Sequence, residues 1–239
     1  MEEKILYDYL KEQIAANFVP VRVLQDEDER RITLLHHQTG SRFLVLREFA
    51  GDPAVYQKLM AVKCSHLPQI FEAAEKDGKL LVLEEYIQGD SLDSLLKCGP
   101  LNSRQARDIA MQICRALWVL HGLGAVHRDV KPENILMRGS EAVLIDFDAS
   151  RLQKPGQQND TVVLGTTGYA APEQFGLSQT DGRADIYALG VVINVMLTGE
   201  HPSRRLADGP PTQENGFTKN LRSPSCGLRQ LSGLRGIAF

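Results

Sequence analysis

His127-Arg128-Asp129-Val130-Lys131-Pro132-Glu133-Asn134 is the stretch on which the reading of this 239-residue chain turns. Within six residues it gathers a carboxylate, an ammonium and an amide, at Asp129, Lys131 and Asn134. On its C-terminal side, apolar runs at 135–137 and 142–145 flank Arg138-Gly139-Ser140-Glu141, which predicts a short hairpin. Asp146-Phe147-Asp148 stands at the end of that hairpin, twelve residues after Asn134. A polar loop fills 150–164, followed by Gly165-Thr166-Thr167-Gly168-Tyr169 and Ala171-Pro172-Glu173. Asp185 and Gly190 then fall inside an apolar helix predicted over 184–197 and stopped by Thr198-Gly199. On the N-terminal side, Ile109, Ile113, Ala116, Leu117 and Leu120 recur three and four apart. That spacing predicts a helix, capped by Ser103 and ended by Gly122 and Gly124.

This order of motifs resembles the protein kinase superfamily, in the form of the bacterial eukaryotic-like Ser/Thr kinases. Residues 127–134 match the catalytic loop H-R-D-x-x-x-x-N, 146–148 are close to D-F-G, and 171–173 match A-P-E. One H-R-D tripeptide means little, whereas four motifs in order, on the expected loop, strand end and helix, do not arise by chance. The resemblance implies an α+β fold of two lobes, a small antiparallel β-sheet lobe and a mainly helical large lobe. It also implies ATP and Mg2+ as cofactors and a protein bearing Ser or Thr as substrate, since phosphoryl transfer depends on positioning and charge neutralisation. By the resemblance, Asp129 orients the substrate hydroxyl and accepts its proton, Lys131 neutralises the moving phosphoryl group, and Thr166 bridges the two. Asn134 and Asp146 supply hard oxygen ligands for the metal and so also hold the nucleotide. Asp185 holds the catalytic loop from below, and His127 and Phe147 support it by packing. Arg128 is expected to meet a phosphate on the activation segment, with Thr161 as the phosphosite.

The small lobe departs from its family. Strand-like runs at 19–24, 31–38, 41–49, 69–73 and 80–86, with a helix at 53–62, predict a mainly antiparallel sheet. The family covers ATP phosphates with a glycine loop, yet residues 1–39 contain no glycine. The equivalent turn is Asp26-Glu27-Asp28-Glu29, which repels phosphate and is expected to stay off it. In Phe43-Leu44-Val45-Leu46-Arg47, strand alternation puts Phe43, Val45 and Arg47 on the cleft face, with Arg47 where the family has lysine. The following helix has no acidic residue to pair with it, and Asp52 is the nearest candidate. Leu81–Gly89 looks like the hinge, with Glu85 to Ile87 offering backbone groups to adenine and Glu84 at the usually apolar gatekeeper position. Asp148 replaces the D-F-G glycine.

The expected organisation is a helical extension over 1–18, a small lobe over 19–88, a partial large lobe over 89–202 and an irregular tail over 203–239. In the extension, Ile5, Leu6, Tyr9, Leu10 and Ile14 suggest a docking face. The tail reads as a truncation or frame change, or alternatively as a regulatory segment. A formal charge of −3 argues against nucleic acid as partner. Cys64, Cys98, Cys114 and Cys226 form no CxxC pair, so reduced, partly buried thiols are expected. The charged N-terminus is no secretory leader and no apolar run spans a bilayer, which makes a cytoplasmic location the expectation. The rival to an active kinase is a pseudokinase acting as a nucleotide-binding or scaffolding module. The missing glycines and Arg47 favour the rival, and the intact Asp129, Lys131, Asn134 and Asp146 favour the enzyme.

Overall fold

Alternation of apolar side chains builds the small lobe. In the computed structural model, which describes residues 2–27, 29–153, 166–171, 174 and 180–200, the chain opens with α1 (Glu2–Asn17). Next come β1 (Phe18–Glu27), β2 (Arg30–His37), β3 (Phe43–Ala50), α2 (Ala54–Met60), β4 (Ile70–Lys76) and β5 (Lys79–Glu85). The strands form one antiparallel sheet in the order β1-β2-β3-β5-β4. β5 is an interior strand, buried on both sides. Its Leu81 and Leu83 join one core and its Leu80 and Val82 the other, as a period of two requires. Complete burial of each such leucine contributes about 1.5–3 kcal/mol.

α1 covers the outer sheet face, where Tyr7, Leu10 and Ile14 pack on Leu35, Leu44, Ala74, Leu81 and Leu83. The docking face expected from Ile5, Leu6 and Tyr9 is corrected, because all three are exposed. Positions 7, 10 and 14 lie along one line of a 3.6-residue helix, while 5 and 9 point to the opposite side. The inner sheet face meets Val55, Tyr56 and Leu59 of α2, and this core runs on into the large lobe.

The large lobe continues with β6 (Asp90–Ser91), α3 (Leu92–Leu96), α4 (Ser103–Gly122), β7 (Ala125–Val126), β8 (Ile135–Arg138), β9 (Glu141–Leu144), β10 (Arg151–Leu152) and α5 (Gly182–Thr198). The two-residue strands β6, β7 and β10 and the short α3 have no counterpart in the sequence reading. α4 is capped by Asn102 rather than by Ser103, which is its first helical residue. The Asn102 side chain accepts from the Gln105 N–H at 2.9 Å, and the Gln105 side chain accepts from the Asn102 N–H at 3.2 Å. That reciprocal box satisfies two of the helix's orphan donors. α4 and α5 pack together through Ile113, Leu117 and Leu120 on one side and Leu189, Val192 and Met196 on the other. α5 ends at Gly199, whose φ of 70° gives the left-handed cap that glycine takes without strain.

The lobes are joined through Gly89, at which a Cβ would lie 2.0 Å from the Met137 carbonyl oxygen. Only glycine allows so close a backbone approach. Thr161, Gly165, Pro172, Glu173, Cys226 and all of 203–239 lie outside the described residues. Cys64 is half-buried, while Cys98 and Cys114 are exposed, a correction to the expectation of partial burial for those two. Among the described residues, no helix is long and apolar enough to cross a membrane.

Candidate active site

The large-lobe half of the site is built on a buried carboxylate. Asp185, in the first turn of α5 and 1% exposed, accepts from the backbone N–H of His127 at 2.9 Å and of Arg128 at 2.8 Å. It also bonds His121 Nε2 at 2.7 Å. These bonds fasten a loop whose Arg128 has φ 72°, a left-handed conformation unfavourable for a long side chain. Buried Arg128 donates to the Thr180 hydroxyl at 3.3 Å, and Gln174 donates to the Arg128 carbonyl at 2.7 Å. The His127 ring meets Phe147 edge-on at 5.4 Å, and Phe147 meets Tyr56 of α2 at 6.1 Å. This aromatic column ties the catalytic loop to the small lobe.

Above it, Asp129, Lys131, Asn134 and Thr166 converge. Thr166 donates its hydroxyl to Asp129 Oδ1 at 2.7 Å and accepts from Lys131 Nζ at 2.9 Å. Lys131 Nζ lies 2.8 Å from Asp129 Oδ2. Asn134 Nδ2 donates to Asp129 Oδ2 and to the Asp129 carbonyl, each at 2.9 Å. Asn134 therefore spends its amide nitrogen on Asp129, which leaves its amide oxygen as the atom for a cation. The Ile145 N–H donates to the Asn134 carbonyl at 2.9 Å and so brings the loop beside the strand end that carries Asp146.

The small-lobe half is an ion cluster. Arg47, 3% exposed, stands opposite Val82 in the β3–β5 ladder, so Glu84, two residues on and 5% exposed, shares its face. Arg47 Nη1 donates to Glu84 at 3.3 Å, while Nη2 donates to Asp146 at 2.7 Å and to Asp148 at 2.9 Å. Arg30, from the start of β2, reaches the same two carboxylates at 2.7 and 2.9 Å. The Tyr56 hydroxyl donates to Asp148. Asp52 is not the partner of Arg47, since it accepts from the Ala54 N–H at 2.9 Å and opens α2. Val45 and Ile87 are buried, and the Glu85 carboxylate crosses to Arg138 of β8 at 2.8 Å. The Glu85 N–H donates to the Gln69 carbonyl at 2.8 Å.

Arg30, Tyr56 and the Arg47–Glu84 pair were missed in the sequence. The polar gatekeeper was the one signal available, since a buried carboxylate demands a cation on its own sheet face.

The cluster divides its carboxylates by protonation. Burial pushes Asp146 up, but the Arg47 and Arg30 guanidiniums outweigh it and hold the carboxyl down at about 2. Burial dominates at Glu84 and raises it to about 7 against the pull of Arg47. Between its unfolded value of 4.5 and 7, native Glu84 keeps a proton that the unfolded chain has lost. Stability therefore falls as pH rises through that window. Relative to Glu84→Gln, the wild type should lose about 2–3 kcal/mol between pH 5 and pH 8 in urea unfolding. Parallel pH profiles for the two proteins would refute the buried-acid reading.

The protein kinase domain profile matches residues 54–222, more than half of the chain and with the catalytic loop inside it. The chain belongs to the protein kinase family. It is similar to the serine/threonine-protein kinase PknD of Mycobacterium tuberculosis, with 43% identity over 193 residues, 76% of this chain and 28% of that protein. It resembles the serine/threonine-protein kinase pkn2 of Myxococcus xanthus at 32% over 187 residues, 75% of this chain and 22% of that one. With the serine/threonine-protein kinase D of Synechocystis sp. it shares 37% over 171 residues, 66% of this chain and 32% of that protein. The matched part thus spans between a fifth and a third of these kinases' lengths. As a kinase-family fold, α+β and two-lobed, the chain carries the H-R-D loop in the large lobe and the buried Arg47 on β3 of the small one.

Proposed function

We propose that this chain is a Ser/Thr protein kinase that transfers the γ-phosphoryl group of ATP to a protein hydroxyl. The observation that carries the reading is the Asp129–Thr166–Lys131 triangle, closed by bonds of 2.7, 2.9 and 2.8 Å. Asp129 is the proton acceptor in this reading, fixed on one oxygen by the Thr166 hydroxyl and on the other by Lys131 and Asn134. Lys131 supplies positive charge beside that carboxylate, where a moving phosphoryl group needs it. The residues fit a magnesium nucleotide, for Asp146 and Asn134 offer hard oxygens and the buried Nε of Arg47 has no partner. Among the described residues no group of three or more His, Cys, Asp or Glu side chains is placed to hold a metal. Two protein oxygens suit magnesium, whose other ligands are phosphate and water. When bound, the metal would supply charge neutralisation on the phosphates. Val45 and Ile87 would line the adenine side, with Glu85 and Ile87 offering their backbone.

Nucleotide affinity measured with and without magnesium, beside transfer of radiolabel to a generic protein substrate, tests this. Affinity at least ~10-fold tighter with magnesium, together with transfer, is the expected result. Equal affinities would remove the metal site.

A pseudokinase is the second reading, favoured by one observation: both oxygens of Asp146 are already held by guanidinium groups. Magnesium-dependent binding without any transfer would establish it.

A further inference from the structure

Arg30 has no function in the reading above, yet it occupies the place where this lobe lacks its glycines. It is the first residue of β2, paired with Glu27 across the hairpin and with Phe49 on β3. Its Nη2 lies 2.7 Å from Asp146 Oδ2 and 2.9 Å from Asp148 Oδ2. Arg47 from β3 reaches the same two residues, so guanidiniums from adjacent strands close on one point. Both bond the same oxygen of Asp148, as two forks do on a phosphate oxygen. The Nε–H of each arginine is buried and has no hydrogen-bond partner. A buried N–H left without an acceptor is costly, and a ligand rich in acceptor oxygens removes the cost.

We propose that Arg30 is a phosphate-binding residue. With Arg47 it forms a two-guanidinium cradle for a di- or triphosphate chain, and does with a side chain what glycine-loop amides do elsewhere. The inference rests on the nucleotide site proposed above. Asp148, in place of glycine, is the internal anion that holds both arginines while no phosphate is present. The carboxylates of Asp146 and Asp148 hold both guanidiniums at one point, so the cradle is preorganised.

The 239-residue chain, titrated calorimetrically in magnesium buffer with ATP, inorganic tripolyphosphate and adenosine, decides the matter. Arg30→Ala should weaken ATP and tripolyphosphate by ~10-fold or more and leave adenosine unchanged, the scale of a charge-assisted contact. Arg30→Lys should recover part of both. Unchanged ATP affinity in Arg30→Ala, set beside normal wild-type binding, would overturn the cradle and leave the kinase reading standing. Tighter ATP binding in that variant would also overturn it, because Arg30 would then be only a plug on Asp146. So would a wild type that binds neither ATP nor tripolyphosphate. Arg30-dependent tripolyphosphate binding in a protein with no transfer activity would keep the cradle and refute the kinase.

Discussion

Asp129→Asn is expected to reduce phosphoryl transfer by at least ~10²-fold, the usual range for a positioned general base, while shifting the urea midpoint little. The substitution keeps the shape and changes the chemistry. An asparagine oxygen at the Oδ1 position still accepts the Thr166 hydroxyl, now at 2.7 Å from Asp129. At the other position an NH2 would face Lys131 Nζ and Asn134 Nδ2, both donors, so two bonds of 2.8 and 2.9 Å are lost. The stability cost is modest because Asp129 and Lys131 are partly exposed, at 18% and 21%. What disappears is the oxygen able to take a proton. Radiolabel transfer to a generic Ser/Thr substrate reads the rate, and the urea midpoint reads the fold. Transfer near the wild-type level would sink the proposed mechanism whatever the midpoint does.

The large-lobe half of the site was legible because its residues sit in short local motifs that resemble those of the kinase family. Asp129, Lys131 and Asn134 lie in one loop, and the strand ending at Asp146 is anchored to that loop by the Ile145–Asn134 backbone bond. Asp185 is distant in sequence, and its role of holding the loop backbone came from the resemblance to the kinase family rather than from its helix alone. The small-lobe cluster was not legible, since it is assembled from residues far apart. Arg30 and Asp146 are 116 positions apart, and Arg47 and Asp146 are 99 apart. No periodicity reports such pairs. Arg30 fell between the acidic turn at 26–29 and the strand predicted over 31–38, and Tyr56 fell inside the helix predicted over 53–62, with no role read for either. The register of β3 was readable from alternation, yet its consequence, that Arg47 and Glu84 share a face, needed the β3–β5 pairing. α1 shows a different limit: two stripes of apolar residues compete on one short helix, and the sheet beneath decides which is buried.

The same buried cluster gives the largest expected effect on stability. Arg47→Ala should destabilise the fold by ~3–5 kcal/mol, the cost of removing one member of a buried ion pair. Arg47 touches Glu84, Asp146 and Asp148, and of these Glu84 shares its sheet face and is 5% exposed. Without the guanidinium, Glu84 can escape part of the penalty by staying protonated, since burial already holds it at about 7. The loss should therefore be greater at pH 8 than at pH 6. Arg47→Ala combined with Glu84→Leu removes both ends of the pair and should recover most of the lost stability. Arg47→Lys should sit between, because one ammonium cannot take the place of two nitrogens that reach Glu84 at 3.3 Å and Asp146 at 2.7 Å. The double variant also separates folding from binding. If Arg47 anchors phosphate, that refolded protein should still bind ATP ~1–3 kcal/mol more weakly than wild type. Restored stability with restored affinity would mean that Arg47 serves only to neutralise Glu84, and that the lobe holds its nucleotide without it. No recovery of stability in the double variant would mean that Asp146 and Asp148, not Glu84, make Arg47 indispensable to the fold.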